Sequence, residues 1–509
     1  MREMSSGRRE ALVYGGLALL ALIVLVPNAP AGRVLSEDTG VFTYVARLIG
    51  DGGLPYRDAW DHKPPGVYLI DAVALAVAGL WGLWAAEVVA LALAAILSYR
   101  AFANTGLGGA AALAGTFAWL VALPRLFLED GVQTNFSELF ALPLQLAALD
   151  LFAREEARPR PTWRTAAIGT LGGSALLLKP TVGAIWIAIA LTLVVTRVRA
   201  RRYVDLGWRV VFLAVPAAIP VALVAGWLAA GGAIAAAADQ VVRYNAAYTA
   251  FATATDRLDA IAQGLRLLLP SGLALVALAG WLLALRAPRP PLVTIAVVAL
   301  PLELALASAG RGYHYYFIAW LPALGALAAY AASRLERRLG PAAAPRVLIA
   351  AGVVMAILPG VVVARLALER DDGIAREAGA YVGANTRPGE TVLVWGSRSE
   401  VLVLAERRSA TRFVYQYAAL ATRGYSTAEE VAALLDDLER SRPLLVVDAS
   451  RDSFVTPPLD RAALATWSSP EPQYRWPPET ARVVAWLESG YDRVATLGGG
   501  WPVWRRRAP

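Results

Sequence analysis

Apolar runs long enough to cross a bilayer constrain this chain more than any other feature. ALVYGGLALLALIVLV (11–26) and PRVLIAAGVVMAILPGVVVA (345–364) are two of them. Such runs match a hydrocarbon core about 30 Å thick. Others recur along most of the sequence between short polar connections. Mean hydropathy is +0.49 and only 17% of residues are charged, which argues against a set of soluble domains. The expectation is an all-α polytopic membrane protein of about 11–13 transmembrane helices, with a small α/β domain at its C-terminal end. The first run has no convincing small-residue cleavage site after it, so it reads as a retained span and not as a signal peptide.

Arginine sets the expected topology, because basic connections stay on the cytoplasmic side. The candidates are Arg2, Arg8 and Arg9, then AREEARPRPTWR (153–164), TRVRARR (196–202), RAPRP (286–290) and SRLERR (333–338). Spans are expected near 11–27, 84–103, 107–123, 136–153, 165–178, 181–196, 208–230, 263–285, 291–309, 314–332 and 346–366. This places the N-terminus in the cytoplasm and the C-terminal domain outside. The run 66–82 is short, carries Asp71 and follows Pro64–Pro65. It is expected to be a juxtamembrane or re-entrant helix on the outer side, with an ordinary span as the alternative. The chain then divides into a membrane domain, 1–366, whose first outer loop is 28–83, and an extracytoplasmic domain, 367–509.

The second part differs in pattern. It holds 18 Arg against 19 Asp and Glu. VLVW (392–395) and LLVVD (444–448) read as buried strands, and WPVWRRR as a last strand with a basic tail. AEEVAALLDDLER (428–440) and ARVVAWLESG (481–490) have helical periodicity. The excess positive charge lies in the membrane part and fits cytoplasmic loops, and no nucleic-acid motif is present. The absence of cysteine excludes disulfides and thiolate chemistry.

The rare residues mark a site. The chain has 46 Arg but only two lysines, Lys63 and Lys179, and two histidines, His62 and His314. All four fall on the expected outer face. A lysine kept in such a chain suits a need for a compact ammonium, although lysines at span ends also snorkel to the interface. Candidate carboxylates share that face. Glu37 and Asp38 follow the first span, Asp58 and Asp61 sit beside Tyr56 and Arg57, and Glu129 and Asp130 precede a glycine. Glu138 begins an apolar helix, with Asn135 three residues earlier and so on the same face. Glu303 lies inside a span and needs a partner, for which Arg311 or Lys179 is expected. A carboxylate that takes a proton and cations that hold a phosphate would serve group transfer from a lipid phosphate.

With these residues in place the chain resembles the GT-C superfamily of integral-membrane glycosyltransferases. The nearest branch holds the protein O-mannosyltransferases, the lipid A aminoarabinose transferases and the rhizobial lipopolysaccharide galacturonosyltransferases. EDTGVFTYVA, GGLPYRDAWDHKPPG, NFSE, LLLKPT and GRGYHYY carry the resemblance, which spans roughly 1–366. It implies a polyprenyl-phosphate sugar donor, an acceptor hydroxyl on a glycan, lipid or protein, inversion at the anomeric carbon, and an outer-face site in the cell membrane. The family's acidic residue after the first span, the catalytic base, falls on Asp38. The usual Asp-Glu is replaced here by Glu37-Asp38-Thr39, so both Glu37 and Asp38 stand as candidates, with Glu138 as a second acidic position. Lys63 matches a lysine placed near the donor phosphate. His62, Lys179, Arg311 and His314 are further phosphate ligands, and Tyr56, Asp58, Asp61, Asp130 and Asn135 are substrate contacts. No cofactor is expected, although Asp38, Glu138 and Asp130 could in principle bind a divalent metal. The alternatives are a multi-span transporter, which suits intramembrane charges, and a non-catalytic assembly factor.

Overall fold

A computed structural model describes residues 6–31, 33, 35–127, 135–156, 158–308, 311–369 and 373–508. The chain forms two compact units. The first comprises Met1–Ala29, Trp81–Val224 and Ala252–Glu369, and the second Pro30–Leu80, Ala225–Phe251 and Arg370–Pro509. The second unit therefore draws residues 30–80 and 225–251 together with the C-terminal segment expected to stand alone.

The first unit is helical. Each segment expected to span coincides with helix, among them Ser6–Val24, Gly109–Ala122, Ser137–Glu155, Trp163–Leu178, Ala184–Arg199 and Pro291–Ser308. By length and composition alone, five described helical stretches can cross a membrane, or six if one bent pair counts as a span. The most apolar part of Tyr203–Ala230 has none of its residues buried, as expected of a helix that faces lipid. Two glycines shape the helical layout. At Gly340 the backbone turns left-handed (φ 76°) and divides Leu321–Leu368 into two helices. At Gly272 (φ 74°) the expected single span 263–285 instead bends by 108° between Ala254–Leu268 and Leu273–Arg286. The neighbouring Pro270, which lacks an N–H, explains the break. Tight helix packing rests on small residues, as in membrane bundles. A Cβ on Gly115 would meet Ala329 and Gly325, and one on Gly280 would meet the backbone of Leu327.

The helix Gly66–Ala103 leaves helical geometry at Ala78 and Gly79 (φ 57°, ψ −140°). The piece before the break spans only roughly 18 Å at 1.5 Å per residue, too short to cross a core of about 30 Å.

The second unit carries a five-stranded mixed sheet. The strands are β1 (Thr391–Trp395), β2 (Arg408–Ser409), β3 (Leu445–Asp448), β4 (Tyr491–Leu497) and β5 (Trp501–Arg506). They lie in the order β2-β1-β3-β5-β4. β1 pairs in parallel with β2 and β3, and β5 pairs antiparallel with β3 and β4. The continuous apolar runs of β1 and β3 are buried along nearly their whole length, as central parallel strands require. Helix Ala428–Ser441 starts with a capping box between Thr427 and Glu430 and buries Val431, Leu434, Leu435 and Leu438. Helix Ala481–Gly490 and the final strand lie where their periodicity places them.

Candidate active site

The expected site residues form two clusters, one in each unit. In the second unit, the helix Glu37–Gly50 opens at Ser36, whose hydroxyl meets that of Thr39 at 2.7 Å. Glu37 and Asp38 occupy its first turn, where the unpaired N–H groups favour negative charge. Lys63 Nζ approaches Asp38 Oδ2 at 3.8 Å, with the two side chains 18% and 36% exposed. Nζ also lies 5.5 Å from the Phe42 ring, one turn along the same helix. Glu37 takes the other direction. It accepts a hydrogen bond from Ser397 and lies 3.9 Å from Arg398, and desolvation pushes its carboxyl up to about 7 against both. Arg398 Nε meets Glu400 Oε1 at 2.6 Å, and Glu400 is fully buried. Burial raises Glu400 to about 7, opposed by Arg398 and reinforced by Glu37. A Cβ on Gly40 would come within 2.6 Å of the Glu400 backbone N, so only glycine lets this helix seat on Glu400.

The loop between Leu54 and Lys63 is fixed at nearly every residue. Asp58 accepts from Leu54 N at 2.8 Å and pairs with Arg57, which also donates to Gly231 O at 2.9 Å. Asp58 thus closes its own turn. Tyr56 adopts φ 70° and is buried, and its hydroxyl donates to Lys63 O at 2.8 Å. A non-glycine residue in this region is uncommon and needs its surroundings to hold it. Asp61 is buried and accepts from Tyr415 Oη at 2.6 Å, from Tyr68 and from His62 N at 2.7 Å. Desolvation raises its carboxyl, against Lys63 and the tyrosine hydrogen bonds.

The tautomer of His62 follows from these bonds. Tyr415 has one hydroxyl proton and gives it to Asp61, so at 3.0 Å its oxygen accepts from His62 Nδ1–H. Nδ1 is thereby held by Tyr415. The His62 ring packs 4.6 Å from Tyr244, and Asn245 donates to His62 O at 2.8 Å. Gln240 bridges Asp61 N and Tyr56 O at 3.1 and 2.8 Å, from the π-helical turn Ala238–Arg243.

In the first unit, Glu138 stands in the first turn of Ser137–Glu155 and pairs with Lys179, which ends Trp163–Leu178. Lys179 Nζ lies 3.4 Å from the Tyr316 ring centroid and 5.4 Å from that of Tyr315, a cation–π arrangement. Tyr315 stacks on Phe136 at 4.5 Å. His314 Nδ1 donates to Leu126 O at 2.8 Å, because a carbonyl only accepts. Arg311 lies within electrostatic reach of Asp256.

Two expectations change here. Asn135 precedes the helix and is left-handed (φ 63°), so it shares no helix face with Glu138. Its N–H donates to Glu87. Glu303 is buried beside Gln145 Nε2 at 3.4 Å, while Lys179 is taken up by Glu138. Glu129 and Asp130 lie outside the described residues. Among the described residues, no three His, Cys, Asp or Glu side chains gather as a metal would need. Asp38 and Glu138 instead each face a lysine.

Sequence reasoning missed Tyr68, Tyr415, Gln240, Asn245, Arg398 and Glu400. Tyr415 is 354 residues from Asp61, and no local pattern signals that contact. Glu87 was also missed, although an acid in the apolar stretch after Gly79 is a signal, because such a charge is costly in a membrane.

A family model, the competence-induced protein Ccs4 N-terminal domain, matches residues 37–337. No curated protein matches the chain significantly. Among solved structures, the chain is similar to ArnT from Cupriavidus metallidurans bound to undecaprenyl phosphate. Identity is 14% and the TM-score 0.64, with 99% of each chain covered. The apo form of that protein matches at TM-score 0.61 and 14% identity, over 98% of each chain. The archaeal oligosaccharyltransferase AglB from Archaeoglobus fulgidus, in complex with an inhibitory peptide and a dolichol-phosphate, matches at TM-score 0.51 and 13% identity. That match covers 87% of this chain and 70% of the other.

Proposed function

The chain belongs to the family of the competence-induced protein Ccs4 N-terminal domain and has the GT-C glycosyltransferase fold; from these we propose a membrane glycosyltransferase. It moves a sugar from a polyprenyl-phosphate donor to an acceptor hydroxyl on the outer face of the cell membrane, with inversion. The observation that carries this reading is the approach of Asp38 to Lys63 at 3.8 Å, with the carboxylate partly open to solvent. A base beside a phosphate-binding cation is what a displacement at the anomeric carbon uses.

Asp38 takes the acceptor proton as the acceptor oxygen bonds to the anomeric carbon. The bond from that carbon to the phosphate oxygen breaks, and polyprenyl phosphate leaves with the electron pair. Lys63 and His62 stabilise its charge. Asp38 suits the role better than Glu37, which is held by Ser397 and Arg398. Asp58 and Asp61 act by fixing the loop that presents His62 and Lys63. In the first unit we assign a phosphate-binding role to Lys179, with Arg311 and His314, and a second acidic role to Glu138. That ArnT bound to undecaprenyl phosphate and AglB in complex with a dolichol-phosphate share this fold supports the donor class.

The test uses membranes containing the purified chain and a panel of radiolabelled polyprenyl-phosphate sugars. Release of polyprenyl phosphate from one donor, reduced about 10²–10⁴-fold by Asp38→Asn and far less by Glu37→Gln, is the expected result. Equal turnover by Asp38→Asn removes Asp38 as the base. The native chain has no cysteine, so a single cysteine at Ser36 reports the face: an impermeant maleimide should label it in intact cells.

A further inference from the structure

The C-terminal part of the second unit contains a cavity of about 630 Å³ that the proposed chemistry does not use. Its size falls in the range of about 300–1,000 Å³ typical of small-molecule sites. Its lining combines two half-buried indoles with guanidinium groups: Trp467, Trp476, Arg423, Arg461 and Arg475, above Tyr474.

The aromatic floor is rigid. Trp476 donates from Nε1 to Val455 O at 2.8 Å and packs 5.5 Å from Trp395, and Tyr474 meets Tyr417 edge-on at 5.0 Å. The charges are not equivalent. Arg461 is neutralised by Glu488 at 2.5 Å. Arg423 lies over the Phe251 ring at 5.1 Å and donates to Pro472 O at 3.3 Å, and among the described residues it forms no salt bridge. Arg475 is held by its backbone N–H, which donates to Ala421 O at 2.6 Å, while its side chain is exposed. One acidic residue, Glu471, also lines the cavity, and it accepts from Gln473 at 2.6 Å. The cavity therefore offers flat indole surfaces and a surplus of guanidinium charge.

We propose that this cavity binds an anionic saccharide, one bearing carboxylate or phosphate, as a recognised segment of the acceptor. The C–H face of a pyranose stacks on an indole, and a guanidinium pairs bidentately with a carboxylate or phosphate. An exposed proline-binding groove would use the aromatic rings but would leave the surplus cations idle. The assignment of the ligand to the acceptor rests on the glycosyltransferase reading. The binding itself does not.

Calorimetry on the full-length chain in detergent tests it with digalacturonate, glucose 6-phosphate, neutral cellobiose and a proline-rich peptide. An anionic sugar should bind at least about tenfold more tightly than cellobiose, and Arg475→Gln and Trp467→Ala should each weaken it about tenfold. Preference for digalacturonate identifies a carboxylate ligand, and preference for glucose 6-phosphate a phosphate ligand. Both side chains reach solvent, and unchanged melting of the variants would show that they fold. Equal binding of charged and neutral sugars, no sugar binding, tighter binding of the peptide, or sugar binding untouched by both variants would overturn the proposal. None of these outcomes depends on donor turnover. Loss of turnover in Asp38→Asn tests the catalytic reading separately.

Discussion

Asp61 shows how one side chain can be spent on architecture so that its neighbours remain available. Its carboxylate is enclosed by Tyr68, Tyr415 and the His62 N–H, and through Tyr415 it fixes the tautomer of His62. Tyr415→Phe removes the acceptor of His62 Nδ1–H and one donor to a buried acid. A cost of about 1–3 kcal/mol is expected for the unsatisfied group, seen as a lowered melting temperature in detergent, together with reduced turnover. Glu400 makes a pH prediction. Its folded carboxyl titrates at about 7 against a reference of 4.5. Between these values the folded chain holds a proton that the unfolded chain has shed, so the contribution of Glu400 to stability is fully present below about 4.5 and is lost as pH rises through about 7. Melting temperatures from about pH 5 to about pH 8 should decline, and Glu400→Gln should flatten the decline. Glu37 and Asp61 shift in the same direction, so part of the slope will survive that substitution.

At the scale of elements, the local periodicities were legible and the contacts between them were not. The capping box at Thr427, the apolar stripe of Ala428–Ser441 and the β-branched runs of β1 and β3 are short-range signals, and each specifies its element without help. The bend at Gly272 had a signal in Pro270-Ser271-Gly272, which the long apolar runs on either side masked. Asn135 was misplaced because its side chain gives no sign of a left-handed backbone before a helix. The lysines and histidines stood out as candidates by rarity alone, whereas the tyrosines around His62 are ordinary residues in an aromatic chain. Gly40 supplies an element-scale test. Gly40→Val would push the helix Glu37–Gly50 off the Glu400 backbone. Overpacking of this kind costs about 1–3 kcal/mol and would displace Asp38 from Lys63. Turnover should fall while Gly50→Ala, which meets nothing within 4 Å, leaves it nearly unchanged.

Across the whole chain, the second unit is assembled from three stretches separated by long runs of the first. The C-terminal stretch looked like an independent domain in the sequence because its strands and helices alternate as in one. Yet it bonds to residues 30–80 at many points: Trp60 N to Arg412 O at 2.7 Å, Ser409 N to Tyr44 Oη at 2.9 Å, Arg376 to Arg33 O at 3.0 Å. A fragment of residues 370–509 should therefore melt at lower temperature and with less cooperativity than the same segment in the full chain. Calorimetry of the two checks this. The enclosure of Asp61 also has a timetable. Its partner Tyr415 is made 354 residues later, roughly 20–70 s at about 5–20 residues per second. For that interval the loop carrying His62 and Lys63 must wait, hydrated and unlatched, while the helices of the first unit are inserted. A ribosome-bound chain that has not reached Tyr415 cannot have a finished site, so synthesis itself delays the appearance of activity until insertion is nearly complete.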